Sequence, residues 1–281
     1  MGRVFVGALR LLVTVVLLHG PAFAQGDIER QIMALPWQIS PISGQIADVA
    51  RITLGSDYQF LDAASSSRFL ELNGNPPRSG NYIFAPRNLD WFSVFAFDSS
   101  GYVRDDERLD PDEMLRTLQQ SNENSAAERR RLGYPVLTLT GWAVPPRYDV
   151  QTRRLEWATR FTNERGAPVV NYTIRILGRT GVMSAVLVSD PQNLDADIAQ
   201  FRRALQGFDY NQGERYTEFR QGDRVAQYGL AALVVGGAAA AAASTGLLKG
   251  FGKLIGFGAI AVIVGIGAFF KRLFGRKAPT T

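Results

Sequence analysis

Between Val136 and Ser189 the apolar period of the chain becomes two, and four strand candidates follow one another: Val136 to Ala143, Arg154 to Phe161, Val169 to Leu177 and Val182 to Val188. Side chains on a strand point alternately to its two faces, so this period commits the segment to a sheet. In the second candidate Leu155, Trp157, Thr159 and Phe161 alternate with Glu156, Ala158 and Arg160, which predicts one buried and one wet face. The connections Asn163-Glu164-Arg165-Gly166 and Gly178-Arg179-Thr180-Gly181 are too short for a parallel crossover. An antiparallel meander follows. After it, Asn193 opens a helix with Leu194, Ile198, Phe201 and Leu205 on one side, acidic residues first and Arg202 and Arg203 last. That helix is the natural cover for the sheet, and the expected class is α+β: an antiparallel β-sheet (meander) with packed helices, followed by a C-terminal transmembrane helix.

Upstream, Asp27 to Leu35 spaces Ile28, Ile32 and Leu35 as a short amphipathic helix that Pro36 ends. Arg51 to Leu54 and Tyr58 to Leu61 flank Gly55-Ser56-Asp57, which predicts a hairpin. Asp62 to Ser67 offers caps for a helix through Leu72 that Gly74-Asn75-Pro76-Pro77 stops. Trp91 to Phe97 is apolar on both faces, the pattern of a strand buried on both sides. Asp110-Pro111-Asp112-Glu113 is a capping sequence that starts a helix at Pro111, with Met114, Leu115 and Leu118 as its apolar face. Asn122 to Arg131 is polar throughout and reads as a solvated continuation or a loop.

The two ends place the domain. Arg3 and Arg10, the apolar run Leu11 to Leu18 and the site Ala22-Phe23-Ala24 have the layout of a signal peptide over residues 1–24. Leu254 to Phe270 is uncharged and bracketed by Lys249, Lys253, Lys271, Arg272, Arg276 and Lys277, the pattern of a transmembrane anchor with a basic tail, residues 271–281. Residues 25–228 then form one exported domain on the outer face of the cytoplasmic membrane. Gly229 to Leu248 is Ala/Gly-rich and uncharged, a candidate second span. Basic residues favour the cytoplasmic side, and four beyond the anchor against two before it favour a single pass with the tail inside. Small-residue spacing at Gly252 and Gly256 would let two anchors pack as a homo-oligomer.

Residue inventory excludes much chemistry. The pI near 9.6 suggests a nucleic-acid binder until the charges are sorted by segment: all 26 acidic residues and 23 arginines lie in the exported domain, which is therefore acidic. No nucleic-acid partner is expected. The chain has no Cys, its single His is His19 in the leader, and its Lys residues all flank the anchor. The exported domain thus lacks the parts of Ser-His-Asp, Cys-His and Schiff-base catalysis, of Cys/His zinc sites and of disulfides.

Gly74-Asn75-Pro76, Trp91-Phe92, Gly101 to Asp106, Gly141-Trp142, Tyr148-Asp149, Leu155 to Ala158, Asn171-Tyr172, Arg175 to Arg179 with Gly181-Val182, Gly222-Asp223 and Tyr228 to Leu233 occur in this order along nearly the whole mature chain. In these stretches the chain resembles the DUF2167 family of uncharacterised, membrane-anchored bacterial proteins. The resemblance implies a membrane-anchored envelope protein and brings no reaction and no site residues.

Candidate sites come from the residues themselves. Seven acids between Asp98 and Glu113 could supply oxygen ligands for Ca²⁺, but they miss the EF-hand spacing, and turns and caps already explain four; no metal is expected. No cofactor is expected either. A pair such as Asp105 with Asp149 or Glu156 could serve a hydrolase if its carboxylates were close. Arg129-Arg130-Arg131 beside Glu123 and Glu128 reads as a solvated helix face. Trp91, Trp142 and Trp157 read as core. Asn171, Arg175 and Arg179, with Asp149, are the ligand-binding candidates: Arg175 or Arg179 paired with Asp149 would be structural, whereas free guanidinium groups would recognise an anionic envelope ligand. The expected function is a membrane-anchored cell-envelope protein with a non-enzymatic protein- or ligand-binding module, the alternative being a carboxylate-dependent hydrolase of an envelope polymer. Expected partners are membrane lipid through the anchor and an envelope protein.

Overall fold

The computed structural model describes residues 22–236 apart from 40, 74, 76–77 and 132–135. Residues 1–21 of the expected leader, residues 237–253, the expected anchor at 254–270 and the expected basic tail at 271–281 lie outside the described residues. Among the described residues no helix is long and apolar enough to cross a membrane.

The chain begins with α1 (Ala22–Met33), which starts before the expected Asp27 and runs through the expected processing site after Ala24. It is followed by β1 (Gln38–Ile39), β2 (Ile42–Ile46), β3 (Ala50–Leu54), β4 (Tyr58–Leu61) and α2 (Ala63–Leu72). Asp62 caps α2 by accepting from the Ser65 N–H at 2.9 Å. Next come β5 (Asn81–Pro86), β6 (Phe92–Asp98) and α3 (Pro111–Arg131), whose first N–H groups at Asp112 and Glu113 donate to Asp110 Oδ1. The polar run from Asn122 continues α3 as helix, and Arg129 in it is buried rather than on a solvated face. The meander follows as β7 (Leu137–Asp149), β8 (Arg154–Asn163), β9 (Pro168–Leu177) and β10 (Val182–Ser189), then α4 (Leu194–Ala204), β11 (Phe208–Tyr210) and α5 (Leu230–Val235).

Eight strands form one sheet in the order β1-β4-β5-β6-β10-β9-β8-β7, every pair antiparallel. The α+β class and the meander therefore hold. β6 lies centrally against β10, in register from Phe92↔Val188 to Val182↔Asp98, as its doubly apolar sequence requires. At the rim, β7 carries Pro145 and Pro146 and slips register against β8 three times between Leu139 and Arg147.

The expected β3–β4 hairpin does not form. β3 pairs with β2 and β11 in a separate three-stranded sheet, whereas β4 belongs to the large one. Burial patterns give the reason: β3 alternates strictly, so one of its faces stays wet, while Phe60 and Leu61 are buried in succession and need cover on both sides. The two sheets approach closely at Gly44, where a Cβ would stand 2.8 Å from the Phe60 ring. The strands β2 and β5 were not foreseen, since glycine interrupts the apolar alternation of one and Asn81 and Pro86 bound the other.

Helix α4 and the small sheet cover one face of the large sheet. Phe201 is fully buried there, with ring centroids 5.9 Å from Phe84, 6.0 Å from Trp91 and 6.1 Å from Tyr172. This cover also overturns the wet face predicted for β8: Ala158 is fully buried and Glu156 half-buried, leaving Arg160 exposed. On the opposite face α2 packs over β5 and β6 through Phe69 and Phe92, at 4.9 Å, while α3 and α5 cover the β7–β8 end. Leu230, Leu233 and Val234 of α5 share a core with Val103, Met114, Leu155, Trp157 and Tyr216. The start of the Gly229 to Leu248 segment is thus folded into the domain.

Candidate functional site

Strand pairing on the face of α2 and α3 assembles a patch that the linear sequence does not display. On β9, Asn171, Thr173 and Arg175 point to this face. Thr159 of β8 is the register partner of Asn171, and Ser184 of β10 is the partner of Arg175. Paired residues in an antiparallel ladder point the same way, so five polar side chains lie on three neighbouring strands. Thr159, Asn171, Thr173 and Ser184 are each less than a tenth exposed. A sheet face at this depth is ordinarily apolar.

Among the described residues none of these five side chains makes a hydrogen bond, and two of their atoms, Asn171 Oδ1 and Arg175 Nε, are buried without one. Native proteins seldom leave such atoms unpaired, because the lost hydration is not replaced. Arg175 lies over the Trp157 ring with its guanidinium carbon 5.9 Å from the centroid. It forms no ion pair among the described residues. Burial lowers its pKa to about 10, opposed by the charges of Asp98 and Tyr228 and reinforced by Arg78. The group remains a cation at neutral pH.

The other two predicted ligand residues are elsewhere and occupied. Arg179 lies beyond β9 and grips Asp223 with two bonds, Nε to Oδ2 at 2.7 Å and Nη2 to Oδ1 at 2.6 Å, and also donates to the Gly213 carbonyl. This is a bidentate clamp between the β9–β10 turn and the C-terminal segment. Asp149 closes the turn after β7, accepting from the Gln151 N–H at 2.8 Å and the Thr152 hydroxyl at 2.9 Å. It pairs with neither arginine, so the expected Arg–Asp149 partnership is replaced by the Arg179–Asp223 pair. Sequence reading missed Thr159, Thr173 and Ser184, whose signal lies in the register.

The Arg179 clamp carries a pH dependence of definite sign. Hydrogen bonds from Arg179 and the Arg220 N–H hold the Asp223 carboxyl down at about 2. A carboxyl lowered on folding contributes stability that is complete above the unfolded value of about 4 and is lost as pH falls through the folded value. Arg179→Gln is therefore expected to reduce stability at pH 6 and to remove part of the decline between pH 4 and 2. Urea midpoints measured across that range check it, and an unchanged acid limb would refute the assignment.

In two further polar clusters the carboxylates are paired. Behind the sheet, Glu156 accepts from Tyr172, Arg147 and Arg202, the last through Nη2 at 3.0 and 3.1 Å. Burial raises its pKa, but the Tyr172 hydrogen bond and the Arg202 charge outweigh this and leave it lowered. At the β7–β8 turn, Asp105 accepts from Tyr148 at 2.8 Å and from Arg153; burial is again outweighed by these bonds, and its pKa is lowered. Of the other acids between Asp98 and Glu113, Asp110 caps α3, and Glu107 accepts from the Ala231 N–H of α5 at 2.9 Å. Among the described residues no group of three His, Cys, Asp or Glu is placed to hold a metal ion.

Comparison with known proteins adds the family. DUF2167, described as a protein of unknown function, matches residues 40–269. In structure the chain is similar to cyanobacterial PsbP (CyanoP) from Synechocystis sp., at 12% identity, over 63% of this chain and 94% of that one, with a TM-score of 0.36. No curated protein matches the chain in sequence.

Proposed function

Since the chain belongs to the DUF2167 family of proteins of unknown function, we propose its role from the site: it is a membrane-anchored envelope protein whose exported domain is a non-enzymatic binding module. The ligand or partner is read by the polar strip on β8, β9 and β10. The observation that carries this is a pair of buried atoms on β9 without a partner among the described residues, the Asn171 Oδ1 acceptor and the Arg175 Nε donor. Together they ask for a ligand with a donor for one and an anionic or carbonyl oxygen for the other. The hydrolase alternative has less support. Asp105, Asp149 and Glu156 all have lowered pKa values, whereas a general acid at neutral pH needs a raised one.

A photocrosslinking amino acid in place of Val186, the β10 register partner of Thr173, tests the reading in intact membranes. Adducts are expected at position 186 and lost with Arg175→Met, with none at exposed Val150. No adduct at 186, or one indifferent to Arg175, would refute the strip as the site.

The anchoring reading takes support from α5. Residues up to Val235 are packed on the domain, so a span within Gly229 to Leu248 has only residues 237–248 left, about 18 Å as a helix against a hydrocarbon core of about 30 Å. A single pass through Leu254 to Phe270 remains, with the basic tail inside. A C-terminal tag is then protected from protease added outside; its digestion would overturn this topology.

A further inference from the structure

Before entering α5, the C-terminal segment builds a stack of three aromatic rings at the edge of the second core. Tyr216 is buried and its hydroxyl donates to the Val103 carbonyl at 3.0 Å. Tyr102 stacks on it at 4.4 Å, and Phe219 closes the stack at 4.4 Å from Tyr102. Phe219 is 40% exposed, one of few large apolar side chains left in water. Beside it Arg220 and Arg224 are exposed. The intervening carboxylate, Asp223, is taken by Arg179, and Arg224 donates to the Ser99 carbonyl. Among the described residues neither Arg220 nor Arg224 has an ion-pair partner.

The position of this corner gives it meaning. Tyr216 and Val103 share their core with Leu230, Leu233 and Val234 of α5, the last element before the uncharged residues 237–248. The aromatic stack and α5, the last described element of the chain, therefore pack on one core.

We propose that this corner is a lipid-seating surface, with Phe219 at the boundary between headgroups and acyl chains and Arg220 and Arg224 on anionic headgroup phosphates. Aromatic rings favour that boundary because one side is apolar and the other wet, and exposed arginines are drawn to anionic lipid. The proposal rests on the membrane-anchored reading and adds an orientation to it: the domain lies against the bilayer by this corner instead of swinging free on its tether.

The cysteine-free chain allows a direct test. The full chain is reconstituted in vesicles of phosphatidylethanolamine and phosphatidylglycerol, with a nitrobenzoxadiazole label on Thr217→Cys or, separately, on Val150→Cys. Brominated lipid is expected to quench the label at 217 strongly and to leave the label at 150 unchanged. Phe219→Ser, the Arg220→Gln/Arg224→Gln pair, or replacement of phosphatidylglycerol by phosphatidylcholine should each reduce quenching several-fold. A label at 217 that behaves as in water while the chain floats with the vesicles overturns the seat and leaves the anchor standing. Quenching indifferent to these residues overturns their assignment. A chain that does not float overturns the anchor, and the seat with it.

Discussion

Phe201→Ala should lower folding stability by about 3–5 kcal/mol, the cost of truncating a large aromatic side chain in a core that relaxes only partly into the void. Phe201 is completely buried, and its ring meets Phe84 of β5, Tyr172 of β9 and Trp91 beside β6. These positions lie on different strands, so no single neighbour can move to fill the space. Tyr172 is further restrained because its hydroxyl accepts from Arg202 Nε at 2.9 Å, one helical turn or less along α4 from the deleted ring. A urea titration of the chain should show an earlier midpoint at unchanged slope, the mark of lost stability without a change in the surface exposed. A loss below about 1 kcal/mol would mean that α4 is not the principal cover of the sheet.

Arg175→Met should have the opposite sign. An arginine kept by selection for packing would leave a costly gap when replaced, but Arg175 stacks on Trp157 with a buried donor that finds no acceptor. Methionine keeps most of the stem and its contact with the ring while removing the desolvated charge. Relieving an unpaired buried group is worth about 1–3 kcal/mol, so the variant should unfold at higher urea. Asn171→Leu should act in the same direction for the same reason. Both variants should lose the Val186 adduct. Sites that give up stability for binding behave in this way, whereas a destabilised Arg175→Met chain would make the strip a structural feature and remove the ground for the binding module.

Local rules carried far where one element decides its own fate. The meander from Val136 to Ser189, the cap at Asp110 and the apolar side of α4 were legible because period and capping chemistry are written within a few residues. The DUF2167 resemblance was legible too. What was hidden depends on partners far along the chain. Gly55 to Asp57 looks like a hairpin turn, yet β3 and β4 part into two sheets because Ile52 and Leu54 need a partner face and Phe60 and Leu61 need two. Asn171 and Arg175 could be named as candidates, but Thr159, Thr173 and Ser184 join them only through register. Arg179 pairs with Asp223, 44 positions away, rather than with Asp149, and nothing local announces that choice.

The rim of the large sheet bears on how copies of the chain can meet. A long outer strand such as β7 offers free backbone groups to any neighbour. Pro145 and Pro146 each remove a donor, and the repeated register slips bend the strand out of the flat geometry that strand addition requires. The β7 rim is therefore a poor template for strand addition from a second copy of the chain.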